Sequence, residues 1–130
     1  MEAWGSKWLF SSTGQSLGST VPPSNGMVYW DADLMREIQN GGKILKWNGS
    51  GTTTLFSHSG TELIWADVIG DWREEVVTVY NGEIRIYTTT TPAADRHVAL
   101  MQDPLYRNDV AVISSGYPQP PQLGYYLGTP

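Results

Sequence analysis

The feature that most constrains the fold of this chain is a sequence motif that occurs twice, from Asp31 to Trp47 and from Asp67 to Tyr87. In each copy an acidic loop ends in the same Asp-x-x-x-Glu spacing and leads into an apolar stretch. An Asn-Gly pair follows, and then a segment that alternates apolar with charged residues and ends on an aromatic ring. The copies recur at a period of about 40 residues, which is typical of β-propeller blades.

Both Asn-Gly pairs, Asn40-Gly41 and Asn81-Gly82, lie between segments with the alternation of half-buried strands. Asn-Gly suits a two-residue type I′ turn, because that turn needs a positive φ at both positions. The sequence therefore predicts two β-hairpins. No stretch has convincing helical periodicity, and 93–101 could hold a turn of helix at most, so the predicted class is all-β.

The predicted organisation is a partial β-propeller of about three blades, whereas closed propellers have four to eight. Residues 1–26 are predicted to end an incomplete blade, 27–65 to form a blade, and 66–130 to form a blade with ring-closing C-terminal strands. The chain is then either a fragment of a larger propeller or one that completes its ring with other chains. The alternative is an ordinary β-sandwich with two unrelated hairpins.

Charge and composition exclude some partners. The net charge is −5 and the isoelectric point is near 4.8, so no basic patch is available for nucleic acid or an anionic membrane. The first residues lack the pattern of a signal peptide, and no segment has the apolar length of a membrane span. Six Trp and seven Tyr suit blade interfaces, but they also suit stacking on sugar rings.

The acidic loops predict calcium, because this cation binds six to eight oxygens from carboxylates and backbone carbonyls. Glu37 extends the first loop in the way that Glu75 extends the second. The alternative is that the carboxylates accept hydrogen bonds from backbone N–H groups in turns. The candidate metal ligands are Asp31 and Asp33 in the first loop, and Asp67, Asp71 and Glu75 in the second.

Two C-terminal segments, 101–107 and 117–122, combine aromatic, polar and proline residues without strand alternation. Proline fixes φ and blocks ladder pairing, so these segments are predicted to be rigid connections. They also hold residues suited to an acidic substrate. Arg107 could bind a carboxylate bidentately, and a tyrosine could transfer a proton.

A resemblance to a known family rests on the segments 28–34, 66–76, 85–90, 100–107, 117–121 and 124–128. In this order they resemble the C-terminal part of bacterial rhamnogalacturonan lyases of polysaccharide lyase family 11. The resemblance implies an eight-bladed propeller that binds calcium in its loops, in an extracellular, secreted parent protein. It implies cleavage of rhamnogalacturonan I, the pectin backbone, by β-elimination.

The resemblance also implies roles for individual residues, with Tyr117 and Arg107 catalytic and with Tyr106, Asp103 and Gln119 binding substrate. Four positions depart from the family pattern. The loop 58–62 has no lysine where relatives carry one. Gln102 and Gln122 each replace a histidine of the family pattern, and Pro118 replaces an asparagine. We therefore expect this chain to be inactive alone. The alternative function is a non-catalytic, calcium-stabilised carbohydrate-binding or structural module that self-assembles.

Overall fold

The computed structural model describes residues 2–4, 8–11, 13–23, 26–93, 95–117 and 119–128, with the backbone alone for 2–4. Gly5–Lys7 of the predicted first blade, and Pro118, lie outside the described residues. The strands are β1 (Glu2–Trp4), β2 (Trp8–Phe10), β3 (Ser16–Gly18), β4 (Gly26–Val28), β5 (Glu37–Asn40), β6 (Lys43–Trp47), β7 (Thr52–Ser57), β8 (Thr61–Ala66), β9 (Glu75–Tyr80) and β10 (Glu83–Tyr87). A 3-10 turn (Leu100–Gln102) and helix α1 (Pro104–Ser114) follow.

The strands form three antiparallel meanders, β1-β2-β3, β4-β5-β6-β7 and β8-β9-β10. In the second and third sheets an acidic loop leads into a strand that begins at a glutamate, Glu37 in β5 and Glu75 in β9. A hairpin then leads to the next strand. The predicted repeat of loop, strand, hairpin and strand is confirmed at this level, and closure into a propeller stays a prediction.

One hairpin turn differs from the prediction by one position. Asn81 and Gly82 form the second turn with φ values of 51° and 79°, as a type I′ turn requires. In the first hairpin Gly41 and Gly42 take that place, with φ values of 58° and 75°. Asn40 is instead the last residue of β5. Glycine at both central positions tolerates positive φ better than asparagine does, which explains the shift.

The sheets change earlier in the chain than the predicted boundary between 27–65 and 66–130. β8 pairs with β9, from Thr61 opposite Val79 to Ala66 opposite Glu75. It therefore belongs to the third sheet. The change of sheet falls in the connection between β7 and β8.

The prediction of an all-β fold is wrong after Tyr87. No strand follows β10 within the described residues, so the predicted C-terminal strands are replaced by the 3-10 turn and α1. Asp103 caps the helix by accepting a hydrogen bond from the Leu105 N–H at 3.1 Å, and Pro104 suits its first turn. Helix α1 is too short to cross a membrane, and no other α-helix occurs among the described residues.

Two buried clusters position the loops. One lies between the second and third sheets and consists of Val28, Trp30, Ile44, Trp65 and Val76. The other attaches α1 to the third sheet and consists of Ala66, Trp72, Leu100, Tyr106, Val110 and Leu127. Burying a large apolar side chain contributes about 1.5–3 kcal/mol, so these contacts fix the sheet edges from which the acidic loops emerge.

Candidate metal centre

The first acidic loop brings three carboxylates together. Asp31, Asp33 and Glu37 each place a ligating oxygen within 4.8 Å of the other two, and the described residues contain no other such group of His, Cys, Asp or Glu. Oxygen donors suit hard cations such as calcium or magnesium. This cluster could hold a metal ion.

The loop is shaped by its own hydrogen bonds. Glu37 Oε2 accepts from the backbone N–H of Trp30 at 3.0 Å and from that of Asp31 at 3.4 Å. Asp31 Oδ1 accepts from the N–H of Asp33 at 2.9 Å, and Asp33 Oδ1 accepts from that of Met35 at 2.8 Å. One oxygen of each carboxylate thus organises the backbone and the other points into the cluster.

A side chain of the protein fills the centre of the cluster. The Lys46 ammonium donates to Asp31 Oδ2 and Asp33 Oδ2, and to Glu37 Oε1 at 3.1 Å. These are the oxygens not used by the backbone. Calcium needs six to eight oxygens around one centre, and the Lys46 ammonium occupies the point where the three carboxylates converge. The residues present therefore do not fit a calcium ion at this loop.

Electrostatics in the cluster agree with an internal cation. Burial, followed by the Asp31 charge, raises the pKa of Glu37 to about 7 against the opposing effects of the Trp30 N–H and Lys46. Burial lowers the pKa of Lys46, but the hydrogen bonds that its ammonium donates to the three carboxylates outweigh burial and raise that pKa. Burial raises the pKa of Asp33, but the hydrogen bonds that it accepts from Lys46 and from the Met35 N–H outweigh burial, so the pKa of Asp33 is lowered.

Asp67, predicted as a ligand in the second loop, is a backbone anchor. It is 1% exposed, and its Oδ1 accepts from the N–H groups of Gly70 at 2.8 Å and Asp71 at 3.0 Å. Its Oδ2 accepts from those of Trp72 at 3.2 Å and Leu100 at 2.7 Å. Trp72 has a φ of 73°, which is costly for a large side chain, and the hydrogen bond that its N–H donates to Asp67 stabilises this conformation.

Glu75, the second predicted ligand of this loop, repeats the backbone contacts of Glu37. Its Oε2 accepts from the N–H groups of Val68 at 3.0 Å and Ile69 at 3.2 Å. Its Oε1 accepts from the Thr88 hydroxyl at 3.0 Å. Burial raises the pKa of Glu75 to about 7 against these hydrogen bonds.

The third predicted ligand, Asp71, is paired within its own loop. Its Oδ2 lies 2.6 Å from Arg73 Nη2, and its Oδ1 accepts from the Arg73 N–H at 3.0 Å. The structure therefore does not bring Asp67, Asp71 and Glu75 together as a cation site. For this loop the contacts match the alternative drawn from the sequence, in which the carboxylates stabilise turns.

Tyr106, predicted to bind substrate, is fully buried. Its hydroxyl donates to Glu74 Oε1 at 2.7 Å and accepts from the Asp67 N–H at 3.0 Å. Burial, together with the Glu74 charge, raises the pKa of Tyr106 far above its usual range. The hydroxyl joins α1 to the second acidic loop and is not presented to a ligand.

Sequence reasoning missed the ion pair beside this tyrosine. Arg36 Nη2 lies 3.5 Å from Glu74 Oε1, with both side chains largely buried. The Arg36 guanidinium also stacks at 4.5 Å on the ring of Tyr29 and donates to the carbonyl of Pro121. Glu74 additionally accepts from the Tyr29 N–H at 2.8 Å. The pairing spans distant parts of the chain, and no local spacing signals it.

The other residues of α1 and its N-cap that were predicted to contact substrate are more exposed to solvent than Tyr106. Arg107 is exposed, although its Nη1 donates to the carbonyls of Met101 at 2.9 Å and Gln102 at 3.1 Å. Asp103 caps α1 and also accepts from the Gly124 N–H, so its carboxylate is engaged at both oxygens. Its contacts are those of a structural residue.

Tyr117 and Gln119 lie beyond the other end of the helix. The Tyr117 side chain is 63% exposed and Gln119 is exposed too. With a rise of about 1.5 Å per residue, the helix places Arg107 and the residue that follows α1 on the order of 12 Å apart along its axis. Both residues of the predicted catalytic pair are therefore exposed to solvent, and their joint role stays a prediction.

The loop without the family lysine holds another polar group. His58 Nε2 lies 3.3 Å from Glu62 Oε1, and the His58 side chain is fully buried. Gln39 donates to the same Glu62 oxygen. Burial lowers the pKa of His58 and raises that of Glu62. This loop therefore presents a largely buried histidine beside a carboxyl group.

The whole chain matches a known family domain. Residues 1–130 match the profile of the rhamnogalacturonan lyase family 11, C-terminal domain. The chain is 40% identical over 98% of its length to the rhamnogalacturonan endolyase YesW of Bacillus subtilis (strain 168). It is 36% identical over 93% of its length to the rhamnogalacturonan exolyase YesX of the same organism.

Solved structures agree with these matches. The crystal structure of YesW superimposes on 96% of this chain with a TM-score of 0.87 at 38% identity. The rhamnogalacturonan lyase PL11 of Bacillus licheniformis gives a TM-score of 0.88 at 40% identity, also over 96% of this chain. In both cases the chain covers 24% of the solved chain. It likewise spans 23% of the length of YesW and of YesX.

The matches in sequence and in structure describe the same portion of the same enzymes, and the TM-scores extend that agreement to the sheets and α1. The chain belongs to rhamnogalacturonan lyase family 11, of which it corresponds to the C-terminal domain.

Proposed function

We propose that this chain is the C-terminal part of an enzyme that cleaves the rhamnogalacturonan I backbone of pectin by β-elimination. The observation that carries the proposal is the match of the entire chain to the C-terminal domain of this lyase family. Relatives named as an endolyase and an exolyase are about equally similar, so the proposal extends to the reaction and not to endo or exo action.

In the proposed reaction a base removes the C5 proton of a galacturonate, the bond from C4 to the linking oxygen breaks, and rhamnose leaves on that oxygen, which takes up a proton. The product carries a double bond between C4 and C5, and no water is consumed. Arg107 would neutralise the galacturonate carboxylate, and Tyr117 would hold or move a proton. Calcium, where bound in the parent, would supply further positive charge at that carboxylate.

The chain alone is proposed to be inactive. It spans about a quarter of the relatives' length, so most of the residues of such an enzyme lie outside it. The outer strand β10 also leaves Ile84 and Ile86 exposed at 71% and 56%. Exposed apolar side chains on a sheet suit burial against a neighbouring blade, so we propose that the three sheets are blades of a larger propeller.

Calcium and secretion remain proposals for the parent. The cluster of Asp31, Asp33 and Glu37 has suitable donors, but Lys46 fills it. Calcium bound by the parent would therefore have to be held elsewhere. The second acidic loop offers no replacement, because its carboxylates bind backbone and Arg73.

The second candidate is a non-catalytic carbohydrate-binding or structural module that assembles with copies of itself. The exposed apolar face of β10 favours it, because a second copy could cover Ile84 and Ile86. Light scattering after size exclusion separates the two candidates. The fragment proposal predicts no discrete multimer, and the module predicts one.

The reaction is tested by incubating the chain with rhamnogalacturonan I and calcium and following the ultraviolet absorbance of unsaturated uronate. We expect no product from the chain alone. Arg107→Ala and Tyr117→Phe are then compared in a chimera that joins this chain to the remaining part of YesW. Both are expected to reduce product formation, whereas Tyr126→Phe, at an 82% exposed position, is the matched control.

A further inference from the structure

The Lys46 ammonium has one N–H donor for each of the three carboxylates around it. A lysine ammonium has three donors and no acceptor. The three oxygens that it meets, on Asp31, Asp33 and Glu37, are those left free by the backbone of the loop. Every strong donor and acceptor at the centre of the cluster therefore has a partner within the chain.

Strand pairing places the ammonium there. Glu37 opens β5 and Lys46 lies near the end of β6, and the two strands pair with Ile38 opposite Leu45. Lys46 is therefore the residue across the ladder from Glu37. The Glu37 side chain is 1% exposed, against 31% for Lys46, so the ammonium covers a buried carboxylate from the solvent side.

The second repeat shows the same position with a neutral group. Val76 pairs with Tyr87 as Ile38 pairs with Leu45, so Thr88 corresponds to Lys46. The Thr88 hydroxyl lies 3.0 Å from Glu75 Oε1, and Lys46 Nζ lies 3.1 Å from Glu37 Oε1. The lysine is thus present where three carboxylates converge and absent where they do not.

We propose that Lys46 is a built-in cation that takes the place of a divalent metal ion among Asp31, Asp33 and Glu37. The loop is held closed by the chain itself and does not require calcium. Removing the ammonium leaves three converging carboxylates, which turns the cluster into a cation site. This inference does not depend on the proposed lyase activity.

The test is a calcium titration of the wild-type chain and of Lys46→Met, followed by calorimetry and by the melting temperature. Wild type is expected to show no saturable site and no calcium-dependent shift. Lys46→Met is expected to gain a saturable site and to melt higher with calcium than with chelator. Lys43→Met is the matched control, because it removes the same charge from an exposed position on the same strand.

Two outcomes overturn the proposal. One is saturable calcium binding by the wild type that Asp33→Asn abolishes, since the ion would then share the cluster with Lys46. The other is a folded Lys46→Met chain that gains no calcium site. Should Lys46→Met fold only with calcium, that requirement supports the proposal. Should it not fold at all, Lys46→Thr, which copies Thr88 of the second repeat, is measured in the same way.

Discussion

Glu37 and Glu75 hold the same position in two successive repeats, each accepting hydrogen bonds through Oε2 from the backbone N–H groups six and seven residues before it. Each glutamate begins the strand that follows its acidic loop. The shared Asp-x-x-x-Glu spacing is therefore explained by loop closure. A metal ion is not needed to account for it.

The buried carboxyl of Glu75 predicts stability that falls as pH rises. The pKa of Glu75 is raised from 4.5 to about 7, chiefly by burial. Between these two pH values the folded chain therefore keeps a proton that the unfolded chain has lost. This contribution is complete below the unfolded pKa and is lost as pH rises through the folded pKa. Glu75→Gln, neutral at every pH, is expected to lessen the fall in unfolding free energy between about pH 5 and 8 by about 1–3 kcal/mol.

Urea unfolding at both pH values measures this difference. Glu83→Gln, at an exposed carboxylate, is the control and is expected to behave like the wild type. An unchanged pH dependence in Glu75→Gln would show that this carboxyl group does not govern it.

Tyr106→Phe is expected to destabilise the chain by about 1–3 kcal/mol, because two buried groups lose a partner. These are the Glu74 carboxylate and the Asp67 N–H. The free energy of unfolding in urea measures the loss. Tyr126→Phe removes an exposed hydroxyl and is expected to change little. Equal stabilities of the two variants would contradict the structural role given to Tyr106.

Asp67→Ala is expected to lower the free energy of unfolding by about 3 kcal/mol or more, because four backbone N–H groups lose their acceptor. The loss is expected to be equal in calcium and in chelator. Asp95→Ala, at an exposed position, is the control. A loss confined to calcium-containing solution would instead identify Asp67 as a metal ligand.

Gly60 lies where β8 begins beside β9, and it has no room for a side chain. A Cβ there would lie 2.6 Å from the Val79 carbonyl oxygen, at a φ of +103°. Gly49 has a similar φ of +95° but open space around it. Gly49→Ala is expected to cost about 1 kcal/mol for the backbone conformation, and Gly60→Ala about 2 kcal/mol more for the contact. Equal melting temperatures of the two variants would contradict this close approach.

The hairpins and the acidic loops could be predicted from the sequence because their signals, the Asn-Gly pairs and the Asp-x-x-x-Glu spacing, each lie within a few residues. The helix was missed because Pro104 and its polar neighbours were interpreted as a rigid connection. Tyr106, Val110 and Ile113 nevertheless have the i, i+4, i+7 spacing of a buried helix face, and Asp103 before Pro104 is a helix-start signal. A search for these two signals together would have found α1.

The contacts of the candidate site could not be predicted in the same way. Lys46 reaches the first acidic loop only through the register of β5 and β6. Tyr106 meets Glu74 only because α1 packs on the third sheet. Acidic spacing indicates where carboxylates occur, and tertiary packing decides whether a backbone amide, an ammonium or a metal ion neutralises them.

The central claim, that this chain serves as the C-terminal part of a rhamnogalacturonan lyase, is tested most directly by replacing the corresponding quarter of YesW with it. Product release from rhamnogalacturonan I is compared for intact YesW, for YesW without that quarter and for the chimera. We predict that the truncated enzyme is inactive and that the chimera regains unsaturated uronate formation. A folded, monodisperse chimera that releases no product would contradict the claim.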